Sequence, residues 1–188
     1  VERKTRETEI RVELDLDGSG RTQARTGLGF FDHMLEAVGR HAGFDIAVEA
    51  SGDLHVDEHH TVEDTALVLG SALDQALGDR AGIRRFGHAY APLDEALARA
   101  VVDLSGRPFA HVELGLKHVR QGEVLSENLA HFWRSFATAG RLCLHLECLR
   151  GENDHHCAEA CYKAAALALR AAVVRDGGLE VPSTKGVL

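Results

Sequence analysis

Two stretches of this chain carry one pattern: Asp57-Glu58-His59-His60-Thr61-Val62-Glu63 and Asn153-Asp154-His155-His156-Cys157-Ala158-Glu159 both end in His-His-x-x-Glu. On an α-helix, neighbours are ~100° apart and residues four apart about 40°. His59 therefore shares a face with Glu63, and His155 with Glu159. An imidazole and a carboxylate on one face chelate a divalent transition ion. His60 and His156 point elsewhere and can reach a second ion. His33 lies 26 residues before His59, and His131 lies 24 before His155, so each copy of the motif has one more imidazole upstream. The eight ligands (His33, His59, His60, Glu63, His131, His155, His156, Glu159) divide into two sets of three His and one Glu. Such a set leaves octahedral positions open, as a catalytic metal requires. It suits Mn, Fe, Co, Ni or Zn. One His-His pair is an ordinary polar helix start; two copies with the same Glu offset are not.

The elements that must position these ligands also repeat. Ile10, Val12, Leu14 and Leu16 alternate with charged residues as in a half-buried strand, and Asp17 to Gly20 reads as a turn. A helix is expected over 30–40, a strand over 44–48, and a helix over 59–77, where Val62, Ala66, Leu69, Leu73 and Leu77 recur at helical spacing. The second half repeats this order: strands over 97–104 and 109–116, a helix over 127–140, a strand over 142–148 and an Ala-rich helix over 154–174. The expected fold is α+β, an internal duplication of a strand-rich unit with two helices per half. The halves are placed at about 1–92 and 93–178, with a metal half-site in each copy and a loop-like tail over 177–188.

Composition narrows the function. The chain has 188 residues and a formal charge of −8, an unfavourable balance for binding nucleic acid. No apolar run approaches the ~20 residues of a membrane span. The charged stretch from Val1 to Arg11 shows no signal-peptide core, so a cytoplasmic location is expected. Its 12 histidines outnumber its 4 lysines and are spread from His33 to His156, so no tag explains them. Cys157 and Cys161, four apart on the Ala-rich helix, read as core packing rather than as ligands.

Further stretches carry a resemblance: Arg3 to Thr8, Phe31-Asp32-His33-Met34-Leu35, Asp57 to Asp64, Gly82 to Gly87, Pro92 to Ala96, Asp103 to Pro108, His155 to Glu159 and Pro182 to Gly186. In this order the chain resembles the imidazoleglycerol-phosphate dehydratase family of histidine biosynthesis. The resemblance implies a ribosomal protein S5 domain 2-like fold. It also implies two Mn²⁺ per active site and a 24-subunit homo-oligomer whose sites draw on more than one subunit. The implied reaction removes water from D-erythro-imidazoleglycerol phosphate. The proton to be lost is not acidic, so simple base catalysis is inadequate. Two metals flanking the imidazole ring would stabilise an imidazolate that expels the hydroxyl, after which a carboxylate removes the acidified proton. By resemblance Glu7, Glu63 and Glu159 are the catalytic carboxylates, with Glu7, His33, His41, His59 and Glu63 contacting the substrate. Arg85, Arg107, Lys163, Ser183 and Lys185 match the phosphate side; Arg84 does not, because the motif fixes the residue before Phe86. Ala37 stands where the family usually has Gln, which removes a polar group near the substrate, and Tyr162 stands where Phe is common.

Two rival readings share some of these residues. A dimetal phosphoesterase fits metals beside a phosphate pocket, but such sites need a bridging carboxylate to hold ions ~3.5–4 Å apart. A metal-storage protein needs the His-Glu sets but has no use for Glu7, Arg85, Arg107 or the tail.

Overall fold

The structure, a computed structural model, describes residues 1–176, 178, 180–186 and 188. The first half runs β1 (Glu2–Lys4), β2 (Thr8–Asp15), β3 (Thr22–Arg25), α1 (Gly29–Ala42), β4 (Asp45–Gly52) and α2 (His59–Leu77). The second runs β5 (Phe86–Leu93), β6 (Ala96–Asp103), β7 (Phe109–Glu113), a short hairpin of β8 (Arg120–Gln121) and β9 (Val124–Leu125), α3 (Ser126–Ala139), β10 (Cys143–Arg150) and α4 (Asp154–Val173). The two main sheets have orders β1-β2-β4-β3 and β5-β6-β10-β7. In each, the fourth strand is parallel to its neighbour and the other pairings are antiparallel. The duplication is therefore topological as well as a matter of motif, and among the described residues only the β8–β9 hairpin interrupts it. β5 pairs with β6 from Phe86↔Asp103 to Leu93↔Ala96, so the change of sheet falls before Phe86 rather than at residues 92 and 93.

Each sheet buries one face. Along β2, Ile10 and Val12 point inward while Glu9, Arg11 and Glu13 are exposed, the alternation a half-buried strand imposes. α1 and α2 cover the first sheet and α3 and α4 the second; between these layers α1 packs on α4 and α2 on α3. Phe31, Phe132, Trp133 and Tyr162 are fully buried there, with Phe31 edge-on to Phe132 at 5.4 Å. Burial of one such side chain stabilises the fold by about 1.5–3 kcal/mol. Cys157 and Cys161 are buried as well, as expected of core residues. Among the described residues no helix is long and apolar enough to cross a membrane.

Four strands or strand pairs were not legible from the pattern. β1 is wholly exposed and lies at a sheet edge, so it has no apolar face. β3 buries only Ala24, and β8 and β9 are two residues each. In β5 the alternation is broken by Gly87, where a Cβ would fall 2.0 Å from the Ala168 carbonyl of α4. Close approach of helix to strand, not hydropathy, sets that residue.

Candidate metal centre

Both His-His motifs sit at a helix start, held by the residue two before the first His. Asn153 Oδ1 accepts from the backbone N–H of His155 and His156. Asp57 Oδ1 accepts from the N–H of His59 at 2.9 Å. Capping of this kind fixes the first turn, and with it the imidazoles it carries.

Two groups of ligand atoms result, each within 4.8 Å of one another: His33, His155 and Glu159, and His59, Glu63 and His131. In the first, Nε2 of His33 and of His155 each lie 3.1 Å from Oε2 of Glu159. In the second, Nε2 of His131 is 3.1 Å from Oε1 of Glu63 and Nε2 of His59 is 3.7 Å from Oε2, with the two rings stacked at 4.9 Å. The expected half-site in each copy is corrected here. His33 belongs with the second motif and His131 with the first, because α1 packs on α4 and α2 on α3.

His60 and His156 stand outside both groups. His60 Nδ1 is 3.0 Å from Asp53 Oδ2, and its Nε2 is 4.0 Å from Glu7. His156 Nδ1 is 2.8 Å from Glu95 Oε2, and its Nε2 is 3.8 Å from Asp94. Hydrogen bonding to these carboxylates raises both imidazole pKa values. A carboxylate on Nδ1 also fixes the tautomer that leaves Nε2 to ligate.

Sequence reasoning assigned no role to several residues that orient the ligands. Asn128 Oδ1 lies 3.0 Å from His59 Nδ1, and its amide donates to buried Glu58 at 3.3 Å. Glu58 also accepts from the N–H of Leu125 at 2.6 Å. Its counterpart Asp154 accepts from the N–H of Lys117 and His118 and from Gln121. Each acidic residue just before a His-His pair therefore grips the segment around the β8–β9 hairpin. Their place in the repeated motif was the available signal. Glu95 lies in the Pro92–Ala96 stretch that carries the resemblance, whereas Asp53, at the end of a strand, gave no signal.

The two groups differ electrostatically. Lys163 Nζ lies 2.6 Å from Glu159 Oε1. Burial pushes the Glu159 carboxyl up, but Lys163 and His33 outweigh it and hold the group at about 2. Leu67 occupies the place of Lys163 in the first motif, and Glu63 is more exposed, 36 % against 13 %. His41 lies close enough to Lys163 to feel its charge, and burial first, then Lys163, lowers its pKa. Ala37, buried on α1, offers His33 no polar group, whereas Ser135 in the matching place of α3 puts Oγ 3.4 Å from His131 Nε2.

The residues matched to the phosphate side do not gather at these groups, Lys163 excepted. Arg85 pairs with Asp103 at 2.7 Å and donates to the Pro182 carbonyl at 2.8 Å. Ser183 therefore lies near Arg85, Lys185 N–H donates to Ser183 Oγ at 3.2 Å, and Lys185 and Arg107 are exposed. Asp103 ends β6, whose other end adjoins Glu95 and His156. Those ends are about 25 Å apart at strand rise.

The model of one protein family, imidazoleglycerol-phosphate dehydratase, matches residues 26–169. The chain belongs to that family. Imidazoleglycerol-phosphate dehydratase of Candida glabrata is 52 % identical over all of this chain and 98 % of its own length. That of Methanothermobacter thermautotrophicus is 54 % identical over 99 % of this chain and 95 % of its own. Among solved structures, the enzyme of Pyrococcus furiosus in complex with (S)-C348 superposes with a TM-score of 0.87 at 37 % identity, covering 100 % of both chains. That of Staphylococcus aureus gives 0.82 at 34 %, covering 93 % of this chain and 98 % of its own. Membership makes the chain an enzyme of the hydro-lyase class, acting in histidine biosynthesis.

Proposed function

We propose that this chain converts D-erythro-imidazoleglycerol phosphate to imidazole acetol phosphate with two divalent cations, Mn²⁺ by resemblance, at each site. The observation that carries this reading is the pair of His-Glu groups, one per motif, in a chain of this family. Their donor set fits such ions: imidazole Nε2 atoms converge on a carboxylate, and Asn128, Asp53 and Glu95 hold the opposite ring nitrogen of three of the histidines. His33, His155 and Glu159 hold one cation and His59, Glu63 and His131 the other, with Nε2 of His60 and His156 as the remaining ligands. Bound Mn²⁺ supplies Lewis acidity to the ring nitrogens of the substrate, lowering the cost of negative charge there.

The protein's own residues do the rest. Glu159 is held ionised by Lys163, so it ligates and is unsuited to give up a proton. Glu7 is exposed, 4.0 Å from His60, and moves the proton between substrate carbon and oxygen. His41 and Lys163 line the His33 side; Arg85, Arg107, Ser183 and Lys185 take the phosphate, aided by Lys163. The length of β6 between Glu95 and Asp103 supports a site completed by another subunit, while the 24-subunit assembly is what the resemblance implies. A phosphoesterase is disfavoured because Glu63 and Glu159 lie in separate groups, with no shared carboxylate among the described residues. The test is to strip the protein with a chelator, assay imidazole acetol phosphate, and then restore Mn²⁺. Turnover lost and regained supports the reading. Full turnover by metal-free protein, or release of inorganic phosphate instead of water, overturns it.

A further inference from the structure

Arg85 has a backbone conformation that residues with a side chain seldom adopt, at φ +69°. Both of its peptide groups are held there. Its N–H donates to the Ala172 carbonyl of α4 at 2.9 Å, and its carbonyl accepts from the N–H of Leu104 at 3.0 Å. The guanidinium lies 4.7 Å from the centre of the Phe86 ring. Asp103, the last residue of β6, accepts from Nε at 2.7 Å and from Nη2 at 3.1 Å. Nη1 donates to the Pro182 carbonyl at 2.8 Å. A guanidinium offers five N–H donors in a planar fork. Asp103 takes two of them and Pro182 takes one, which leaves one N–H on each terminal nitrogen. The two side chains are only 13 % and 22 % exposed, so this is not a solvated surface pair. The residues matched to the phosphate side radiate from it. Arg107 lies in the turn that begins at Asp103, where Gly106 has φ +72°, and Pro182 is followed by Ser183 and Lys185.

We propose that Asp103 is a positioning residue for the substrate phosphate: it locks the Arg85 guanidinium in the orientation that holds the Pro182 carbonyl and leaves one N–H on each terminal nitrogen for phosphate oxygens. The inference rests on the reading that Arg85 takes the phosphate. A carboxylate beside such an arginine has two opposed effects. Its charge repels the phosphate, so removing the charge alone strengthens binding. Its two hydrogen bonds fix the fork, so removing them frees the guanidinium to turn and weakens binding. Orientation prevails here. A phosphate on the free donors stands across the guanidinium from Asp103, at a separation comparable with the Debye length of about 8 Å in 0.15 M salt, so repulsion is screened while the two bonds are not. The backbone of Arg85 is held by Ala172 and Leu104 without help from the carboxylate, so Asp103 acts on the side chain rather than on the local fold.

The test is Asp103→Asn in the full, Mn²⁺-loaded enzyme. The variant keeps the size of the side chain but sets an amide NH₂ against one of the Arg85 donors. It should raise KM for D-erythro-imidazoleglycerol phosphate by about fivefold or more with kcat within about twofold. The inhibition constant of inorganic phosphate should rise in step, while that of D-erythro-imidazoleglycerol, which lacks the phosphate, stays as in the native enzyme. In an Arg85→Ala background Asp103→Asn should change neither KM nor the phosphate constant further, because its effect passes through Arg85. Arg85→Lys needs no change at Asp103: it keeps the charge and loses the fork, so the same rise is expected. The proposal is overturned if Asp103→Asn lowers KM and the phosphate constant or leaves them unchanged, if its effect adds to that of Arg85→Ala, or if Arg85→Lys behaves as the native enzyme. If Arg85→Ala itself leaves both constants at their native values, the assignment of Arg85 to the phosphate is what fails, and the role of Asp103 falls with it.

Discussion

Lys163→Met removes one ammonium and keeps the length of the side chain. In the native chain that ammonium holds Oε1 of Glu159 at 2.6 Å, while Oε2 faces His33 and His155 at 3.1 Å. A divalent cation taken up between those three groups stands roughly 5 Å from the lysine nitrogen. At that separation the repulsion is about 1.7 kcal/mol even at the dielectric constant of water, or roughly 15-fold in affinity. Lys163 and Glu159 are only 19 % and 13 % exposed, so the effective dielectric is lower and this figure is a minimum. One effect opposes it: a partner that orients a ligand strengthens metal binding, and its loss weakens binding by about 10–100-fold. Here orientation survives, because both imidazoles hold Oε2 without the lysine. Ionisation does not change the outcome near neutral pH, since Glu159 rises from about 2 toward the ordinary carboxylate range and stays charged. The variant therefore binds a cation at least tenfold more tightly at the Glu159 group and unchanged at the Glu63 group. Titration of metal-free protein with Mn²⁺, with free Mn²⁺ read by electron paramagnetic resonance, resolves two classes of site. His131→Ala identifies the tighter class and His33→Ala the weaker. If Lys163→Met leaves the weaker class unchanged or weakens it further, the electrostatic argument is wrong.

Four other outcomes follow from the geometry. Asn128→Ala removes the partner of His59 Nδ1 and should weaken cation binding at the Glu63 group by about 10–100-fold, read in the same titration. Glu7→Gln should lower turnover by roughly 10²–10⁴ while metal content, measured by elemental analysis, stays as in the native protein; unchanged turnover would exclude Glu7 from proton transfer. Arg80 is 3 % exposed and donates to the carbonyls of Gly140 and Arg141 and to Asp74, so Arg80→Met should destabilise by about 3 kcal/mol, measured by urea unfolding. Glu95, held at about 2 by the N–H of Asn153 and by His156, contributes stability above the ordinary carboxylate pKa and loses it as pH falls through 2. His156, raised by Glu95, contributes below the ordinary imidazole pKa and loses it as pH rises through its own. The pair therefore acts most fully between about pH 4.5 and 6.5, and in metal-free protein Glu95→Gln should lower the His156 midpoint seen by NMR.

The chemistry was more legible in the sequence than the assembly of the site. His-His-x-x-Glu states its geometry by helical spacing alone, so the His155–Glu159 and His59–Glu63 pairs were readable from residue numbers. Which upstream histidine completes which pair was not, because it depends on α1 crossing to α4 and α2 to α3, a contact made by packing of Phe31, Phe132 and their neighbours. Chain order favoured His33 with His59, and packing reversed it. The contacts of Asp53 with His60 and of Glu95 with His156 were hidden for a related reason, since a carboxylate at a strand end has no periodicity. Of the strands that escaped notice, β1 and β3 have little or no buried face, so the alternation that reveals β2 is absent. Lys163 was read as a phosphate ligand from its motif; its contact with Glu159, one helical turn away, was open to inspection all along.

The crossed pairing also explains why one chain carries two copies of the unit. Within a single copy, the last helix supplies only a His and a Glu four residues apart, a two-point hold on any ion. The third ligand of each group comes from the other copy, so neither half can form a three-ligand group alone. Two helix starts must then be fixed relative to each other more tightly than apolar packing achieves, since ligand positions tolerate errors of only about 0.5 Å. The β8–β9 segment supplies that constraint. Glu58, before the first His-His pair, takes the N–H of Leu125 on one side of it, and Asp154, before the second, takes the N–H of Lys117 and His118 on the other. The one insertion that breaks the duplication is thus the part that ties its two metal-binding helices to a common frame.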